Sequence, residues 1–206
     1  MNRILKAICV ALTLAGVPAV TAVQLEPARA QPADPAVAQV QEFYDGLVAS
    51  MKSGGTAKSR YEKLKPAIEK TFDLPTMTAT AVGPTWASAS EADKNALIEA
   101  FTRMSIANYA KSFDSYNGEK FTVEPASIVR GGDRFVKSTM KTSDDTIAFN
   151  YRMHQAGSEW KITDVLLEGN ISQMAQKRSD FAATLSTGGP QALAKRINAL
   201  ADQMLG

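Results

Sequence analysis

The sequence predicts an α+β protein. The expected architecture is an antiparallel, four-stranded curved sheet covered by helices, with an apolar cavity between sheet and helices. Three observations carry this. Apolar residues recur at steps of three and four from Val37 to Phe113, the spacing of helical faces. After Asn117-Gly118 the period changes to two, in segments divided by short turns. Helical steps return from Ile171 to Met204. Helices, then a meander, then helices is the layering in which helices cover one sheet face. A concave sheet covered in this way leaves a gap of the kind that takes apolar ligands.

The N-terminus sets the compartment. Arg3 and Lys6 precede an apolar run, Ile8 to Val20, too short to span a bilayer, and Ala28-Arg29-Ala30 has the A-x-A form of a cleavage site. Residues 1–30 are therefore expected to be a secretory signal peptide removed after Ala30, so the mature chain is expected to be exported. Cleavage removes Arg3, Lys6, Arg29 and Glu26, so the formal charge falls from +2 to zero. A neutral chain without a basic cluster gives no electrostatic case for nucleic acid. The single cysteine, Cys9, leaves as well. Residues 31–35 (QPADP) form a short flexible leader, and 36–206 are expected to be one domain, long enough to bury its own core.

The first helix runs through Val37, Val40, Phe43/Tyr44, Leu47, Val48 and Met51 to Ser53-Gly54-Gly55. Tyr61, Leu64, Ile68 and Phe72 form a second stripe, which Pro66 is expected to bend or divide. Leu74-Pro75 opens a short third segment ending at Val82-Gly83-Pro84. Ser90 begins the clearest helix: SEAD is a loose capping box with Asp93 in the acidic position, and Leu97, Phe101, Met104, Tyr109 and Phe113 share its apolar face.

Strand segments follow at Phe121–Val123, Ile128–Val129, Arg134–Met140, Thr146–Met153 and Trp160–Leu167. Alternation puts Ile147, Phe149, Tyr151 and Met153 on one face. It also puts Trp160, Ile162, Asp164 and Leu166 together, opposite Lys161, Thr163, Val165 and Leu167. Two helices close the chain on either side of Gly188-Gly189-Pro190.

Little here points to chemistry. No cysteine follows Cys9, the one histidine is His154, and no calcium-loop, nucleophile-elbow or phosphate-loop motif is present. No cofactor or metal is expected. Asp164 permits two readings: a catalytic acid in an apolar pocket, working with Tyr151 or Tyr109, or a structural tie to a backbone N–H or to Arg178. His154 sits at a strand end and is a general base only on the first reading. The structural tie between the last strand and the Arg178 helix is the expectation. The aromatic and sulfur-bearing residues Trp86, Phe101, Met104, Tyr109, Phe135, Phe149, Tyr151 and Trp160 are the candidate lining of the cavity.

Two groups of residues carry a resemblance. Phe72-Asp73 with Met77, Val82-Gly83, Trp86, Phe101 and Tyr109 make one half. Tyr151-Arg152-Met153, Trp160-Lys161-Ile162-Thr163-Asp164-Val165, Glu168-Gly169-Asn170-Ile171-Ser172 and Arg178-Ser179-Asp180-Phe181 make the other. From about Val37 to Leu205 the chain resembles the MlaC family, also called the toluene-tolerance periplasmic protein family. The run GNISQMAQKRSDF is most similar to its hopanoid-associated branch, HpnM. Two places depart from the family pattern: Pro84 stands in a segment nearer L-G-x-x-W elsewhere, and Gln176-Lys177 precedes Arg178 where an aromatic is common. The resemblance implies a cystatin-like or nuclear-transport-factor-2-like shape and a non-enzymatic carrier. The implied cargo is a phospholipid, or in the hopanoid branch a hopanoid. The implied partners are an inner-membrane ABC transporter with an MCE-domain protein and an outer-membrane lipoprotein complex. The alternative is an enzyme of the same shape acting on a hydrophobic substrate through Asp164 or His154.

Overall fold

The computed structural model describes residues 34–206. The proposed signal peptide, and residues 31–33 of the leader, lie outside them. Asp34 and Pro35 are part of the folded chain. Asp34 is the N-cap of α1 (Pro35–Ser53), accepting from the Ala36 N–H at 3.0 Å. Its second carboxylate oxygen accepts from Arg134 and from the Ser127 backbone N–H, pinning the start of α1 to the sheet.

Side-chain caps begin the other long helices too. Thr56 caps α2 (Ala57–Thr71), Asp73 caps α3 (Leu74–Val82) and Ser90 caps α5 (Glu91–Ser112). A single turn, α4 (Thr85–Ser88), separates the last two. At Ser90 the capping box takes a variant form: the Asp93 N–H donates to Ser90 Oγ, and the Ser90 hydroxyl donates back to the Asp93 carboxylate. Pro66 does not divide α2, which is continuous. The buried Arg60 of α2 donates to the Ala110 carbonyl at 2.9 Å and to the Gly55 carbonyl, tying the end of α5 to the α1–α2 turn.

The sheet has seven strands rather than four: β1 (Lys120–Val123), β2 (Ile128–Arg130), β3 (Asp133–Val136), β4 (Ser138–Lys141), β5 (Thr146–Ala156), β6 (Glu159–Leu167) and β7 (Ile171–Ser172). β5 is its spine. One edge of β5 pairs with β6, and the other with β4 and then β3. β1 flanks β4, β2 flanks β3 and β7 flanks β6, all antiparallel. The expected strand Arg134–Met140 is two strands in one unbroken register: Val136 lies opposite Tyr151 and Thr139 opposite Ala148. Lys137 lies between them, and at the start of β4 the Ser138 hydroxyl donates to the Phe149 carbonyl. That hydroxyl also receives from Tyr44 on α1, which draws Ser138 toward the helix layer.

β6 differs from the expected alternation in a way that matters for the site. Arg152 pairs with Asp164, but Met153 pairs with Ile162, so Thr163 is an extra residue, a β-bulge. The bulge reverses the parity of the strand. Ile162 stands opposite Met153, Val165 opposite Tyr151 and Leu167 opposite Phe149, all on the covered face. Asp164 and Leu166 pair with Arg152 and Asn150 instead.

The two expected closing helices are the arms of one bent segment, α6 (Gln173–Leu205), which turns at Gly189 (φ 69°, ψ −168°) ahead of Pro190. α6 packs on α5 and α3, and α1 packs on α2 and on the sheet. Phe43, Tyr44, Phe72, Tyr109 and Tyr151 stack edge-on or tilted at the centre of the core, with ring centroids 5.0–6.1 Å apart. Among the described residues, no helix is long and apolar enough to cross a membrane, and no cluster of metal-ligating side chains occurs.

Candidate functional site

A cavity of about 300 Å³ lies between α5, α6 and the sheet. α5 contributes Phe101, Met104 and Tyr109, and its C-cap residue, Phe113, joins them. Phe149, Val165 and Leu167 come from β5 and β6, Phe72 and Met77 from the α2–α3 junction, and Met174 and Met204 from the two ends of α6. The methionines give this wall a shape that can adapt to its contents. Polar side chains join the lining on the same two helices: Ser105, Asn108 and Ser112 on α5, and Gln173 and Lys177 on α6. Asn108 and Ser112 are exposed, so this polar side is where the cavity meets solvent. A void of about 10 Å³ lies on the other side of Phe149, Tyr109 and Phe113, against Tyr44, Leu47, Phe121 and Tyr151.

Of the eight residues the sequence suggests as lining, Phe101, Met104, Tyr109 and Phe149 border the cavity, and Tyr151 borders only the small void behind it. Trp86, Phe135 and Trp160 lie elsewhere. Trp86 is on α4 beneath the Lys94 ammonium, Phe135 pairs with Arg130 across 5.5 Å, and Trp160 carries the Arg134 guanidinium 4.9 Å from its ring centre. Met77, Phe72, Met174 and Met204 were missed. Their helical spacing was legible, but nothing in it says which apolar face borders a gap and which a packed neighbour.

The hydroxyls behind the cavity form a closed chain. Tyr151 donates to Tyr44 at 2.9 Å. Because the only proton of Ser138 goes to the Phe149 carbonyl, Tyr44 donates to Ser138, at 2.7 Å. Burial raises the pKa of Tyr44, Tyr109 and Tyr151 above that of an ordinary phenol. All three are neutral donors at physiological pH, and none is poised to act as a base.

Asp164 does not face the cavity. Its carboxylate accepts from the Met174 N–H at 3.1 Å and from the Ser172 hydroxyl, while Ser172 Oγ in turn accepts from the Ala175 N–H at 3.0 Å. Asp164 thus joins β6 to the first turn of α6, its partners being a backbone N–H and a serine rather than Arg178. Arg178 donates to the Thr80 carbonyl at 3.0 Å and lies against Gly83, where a Cβ would come within 3.0 Å of its Nε. His154 Nε2 is 2.7 Å from Asp73 Oδ2, and neither residue borders the cavity. Asp73 also caps α3 through the Thr76 N–H and donates its own N–H to the Ile162 carbonyl. The enzymatic alternative therefore lacks its geometry: Asp164 and His154 hold helix ends, away from the apolar space.

The residues of the second half that carry the resemblance have the same kind of duty. Glu168 and Gly169 make a left-handed turn (φ 53° and 80°), Asn150 donates to the Gly169 carbonyl, and Ser172 caps α6. Val82-Gly83 and Arg178-Ser179 meet where α3 ends on α6. The profile of the MlaC protein family matches residues 24–199. The chain belongs to the MlaC family. Among solved structures, a phospholipid-binding protein from Ralstonia solanacearum, determined in complex with a phospholipid, is similar to this MlaC chain in fold. The TM-score is 0.73 at 20% identity, covering 84% of this chain and 100% of that one. Against curated proteins the sequence gives no match.

Proposed function

We propose that this MlaC-family chain is a periplasmic lipid carrier, which holds the apolar part of a lipid in the cavity and moves it between inner and outer membranes. The observation that carries the proposal is the cavity itself. It is walled by Phe101, Met104, Phe149 and other apolar side chains, and its polar residues are gathered where it opens to solvent. The phospholipid bound by the Ralstonia solanacearum protein of the same fold supports a lipid as its contents. Two acyl chains carry on the order of 30 methylenes, and burying each is worth about 0.8 kcal/mol. Exposing them in water therefore costs roughly 20–25 kcal/mol. A protein that lends a dry surface removes most of that barrier without any catalytic group.

Around this reading stand finer proposals. Family members are periplasmic, and the A-x-A site at Ala28-Arg29-Ala30 supports cleavage after Ala30. The run GNISQMAQKRSDF supports the HpnM branch, with a hopanoid as the alternative cargo to a phospholipid. An inner-membrane ABC transporter with an MCE-domain protein and an outer-membrane lipoprotein complex are the proposed partners.

The test is native mass spectrometry of the protein purified from its own envelope without detergent, followed by extraction of what is bound. One lipid per chain is the expected result, and its mass separates phospholipid from hopanoid. Phe149→Asp, which places a carboxylate in the wall, is expected to lower the bound fraction while leaving circular dichroism unchanged. A wild-type chain that stays empty after incubation with membranes overturns the carrier reading.

A further inference from the structure

Three buried phenols stand at or behind the cavity, and two of them are satisfied: Tyr151 donates to Tyr44, and Tyr44 to Ser138. The third, Tyr109, borders the cavity itself, and its hydroxyl has no hydrogen-bond partner among the described residues. A buried phenol ordinarily finds a partner, and one left without costs stability. The hydroxyl is not sealed in. Among the described residues, the only fully enclosed side-chain oxygen or nitrogen without a partner is Gln39 Oε1, so the Tyr109 oxygen opens on a space. Two spaces touch this residue, and the small void behind it presents no polar surface. The oxygen therefore faces the cavity. The Tyr109 ring sits on the core side, edge-on to Phe43 and Phe72 with centroids 5.2 and 5.9 Å away. The burial that raises its pKa sets the hydroxyl back from the opening. Phe72, Phe113 and Phe149, which border the same space, offer it no acceptor.

We infer that Tyr109 is a specificity residue for lipids whose apolar body carries an acceptor oxygen, such as a keto or hydroxyl group, its phenol donating to that oxygen deep in the cavity. The inference rests on the carrier reading and narrows its cargo. An occupant that is wholly hydrocarbon leaves the phenol proton unpaired, a cost that phenylalanine would avoid at nearly the same volume. A keto group buried without a donor carries the matching cost. Brought together they satisfy each other, in surroundings of low dielectric where the bond is stronger than in water.

The experiment offers delipidated mature protein a set of phosphatidylcholines from vesicles of otherwise identical composition. Their stearoyl chain is plain or carries one keto group, moved carbon by carbon along the chain. A pentacyclic triterpene and its ketone form a second set, because a chain and a ring system can present the same oxygen. Bound lipid is read by native mass spectrometry for wild type and Tyr109→Phe. The preference for keto over plain lipid is expected to be about two- to tenfold greater in wild type than in the variant, the scale of one buried hydrogen bond. Tyr109→Phe keeps the ring and its contacts. Because it removes a donor that has no partner, the empty variant is expected to resist urea at least as well as wild type. A preference that peaks at one chain position assigns the oxygen to an acyl chain, and one confined to the second set assigns it to a polycycle; either supports the inference. A flat profile in both sets, or a peak that survives in Tyr109→Phe, overturns it and leaves the carrier reading standing. A marked loss of stability in empty Tyr109→Phe would mean that the hydroxyl already has a partner within the protein, and would equally overturn it. Uptake of no lipid of either set by wild type overturns the carrier reading itself.

Discussion

The hydroxyl of Tyr151, on β5, donates to the hydroxyl of Tyr44, on α1, across 2.9 Å of buried core. Tyr44 passes its own proton to Ser138, and Ser138 to the Phe149 carbonyl, so every proton in the chain has an acceptor. The positions are unequal. Tyr151→Phe removes the first donor and orphans nothing, so a loss of about 1 kcal/mol is expected. Tyr44→Phe leaves the Tyr151 hydroxyl without its acceptor and Ser138 without its donor, for a loss of about 1–3 kcal/mol. The double variant should lose less than the sum of the two, because the orphaned Tyr151 hydroxyl goes with it. Urea denaturation of the three variants decides this, and equal losses for the two singles would contradict the directed chain.

The same phenols govern behaviour in alkali. Burial raises the pKa of Tyr44, Tyr109 and Tyr151 in the folded chain above the ordinary value of 10.0. The folded state then keeps protons that the unfolded state gives up. Their contribution to stability is complete below about pH 10 and is lost as pH rises through the unfolded value toward the folded one. Unfolding is expected to become steadily easier above about pH 10. Phenolate absorbance from three of the five tyrosines should appear together with loss of the near-ultraviolet circular dichroism of the core. Ionisation of all five ahead of unfolding would contradict the buried arrangement.

Asp164 holds the first turn of α6 through Met174 and Ser172. Asp164→Ala removes two hydrogen bonds to a buried carboxylate and strips part of the helix cap, with an expected loss of about 2–4 kcal/mol. Asp164→Asn keeps one acceptor for the Met174 N–H and should lose about 1 kcal/mol. Thermal denaturation gives the order. Since the side chain does not border the cavity, lipid bound by folded Asp164→Asn should match wild type, an outcome a ligand-binding role would not produce.

Gly189 turns α6 with φ 69° and ψ −168°, a region almost closed to residues with a Cβ. A Cβ there would meet nothing within 4 Å. Gly189→Ala therefore isolates a backbone effect, and a loss of about 1–3 kcal/mol is expected without steric conflict. Gly54, at φ 60° and equally open around its Cβ, is a comparison site at a helix end. If Gly189→Ala were neutral by chemical denaturation, the bend would not depend on glycine.

Much of the fold was legible in the chain. Helix faces, the serine cap at Ser90, the break at Asn117-Gly118 and the long strands β5 and β6 all follow from local pattern. The division at Lys137 was not, because Val136 and Ser138 on either side of it are both buried and alternation continues through them. Beside it Ser138 bonds to Tyr44, 94 residues away in sequence, a contact that no local pattern shows. β7 spans two residues, too few to show a period. Half of the candidate lining fell on the cavity because α5 and the inward face of β5 were read correctly. Trp86, Phe135 and Trp160 fell outside because a large aromatic ring signals burial but not what it is buried against. Each of the three is covered by a cationic side chain that no local pattern pairs with it.

The bulge at Thr163 behaves like a frameshift within one strand. Residues before it and after it are read in opposite phases, and the phase after it turns Val165 and Leu167 toward the cavity and keeps Asp164 out. Pairing Thr163 regularly, without the bulge, would exchange the two sets and set a carboxylate into the dry wall, whereas deleting Thr163 removes the extra residue and leaves Ile162, Val165 and Leu167 on the covered face. Substituting it, by contrast, forfeits only the hydroxyl contact to the Arg152 carbonyl. The polarity of the cavity is thus fixed by how many residues β6 has, not only by which ones. A one-residue insertion beside Thr163 should therefore be far less tolerable than the deletion of Thr163 itself.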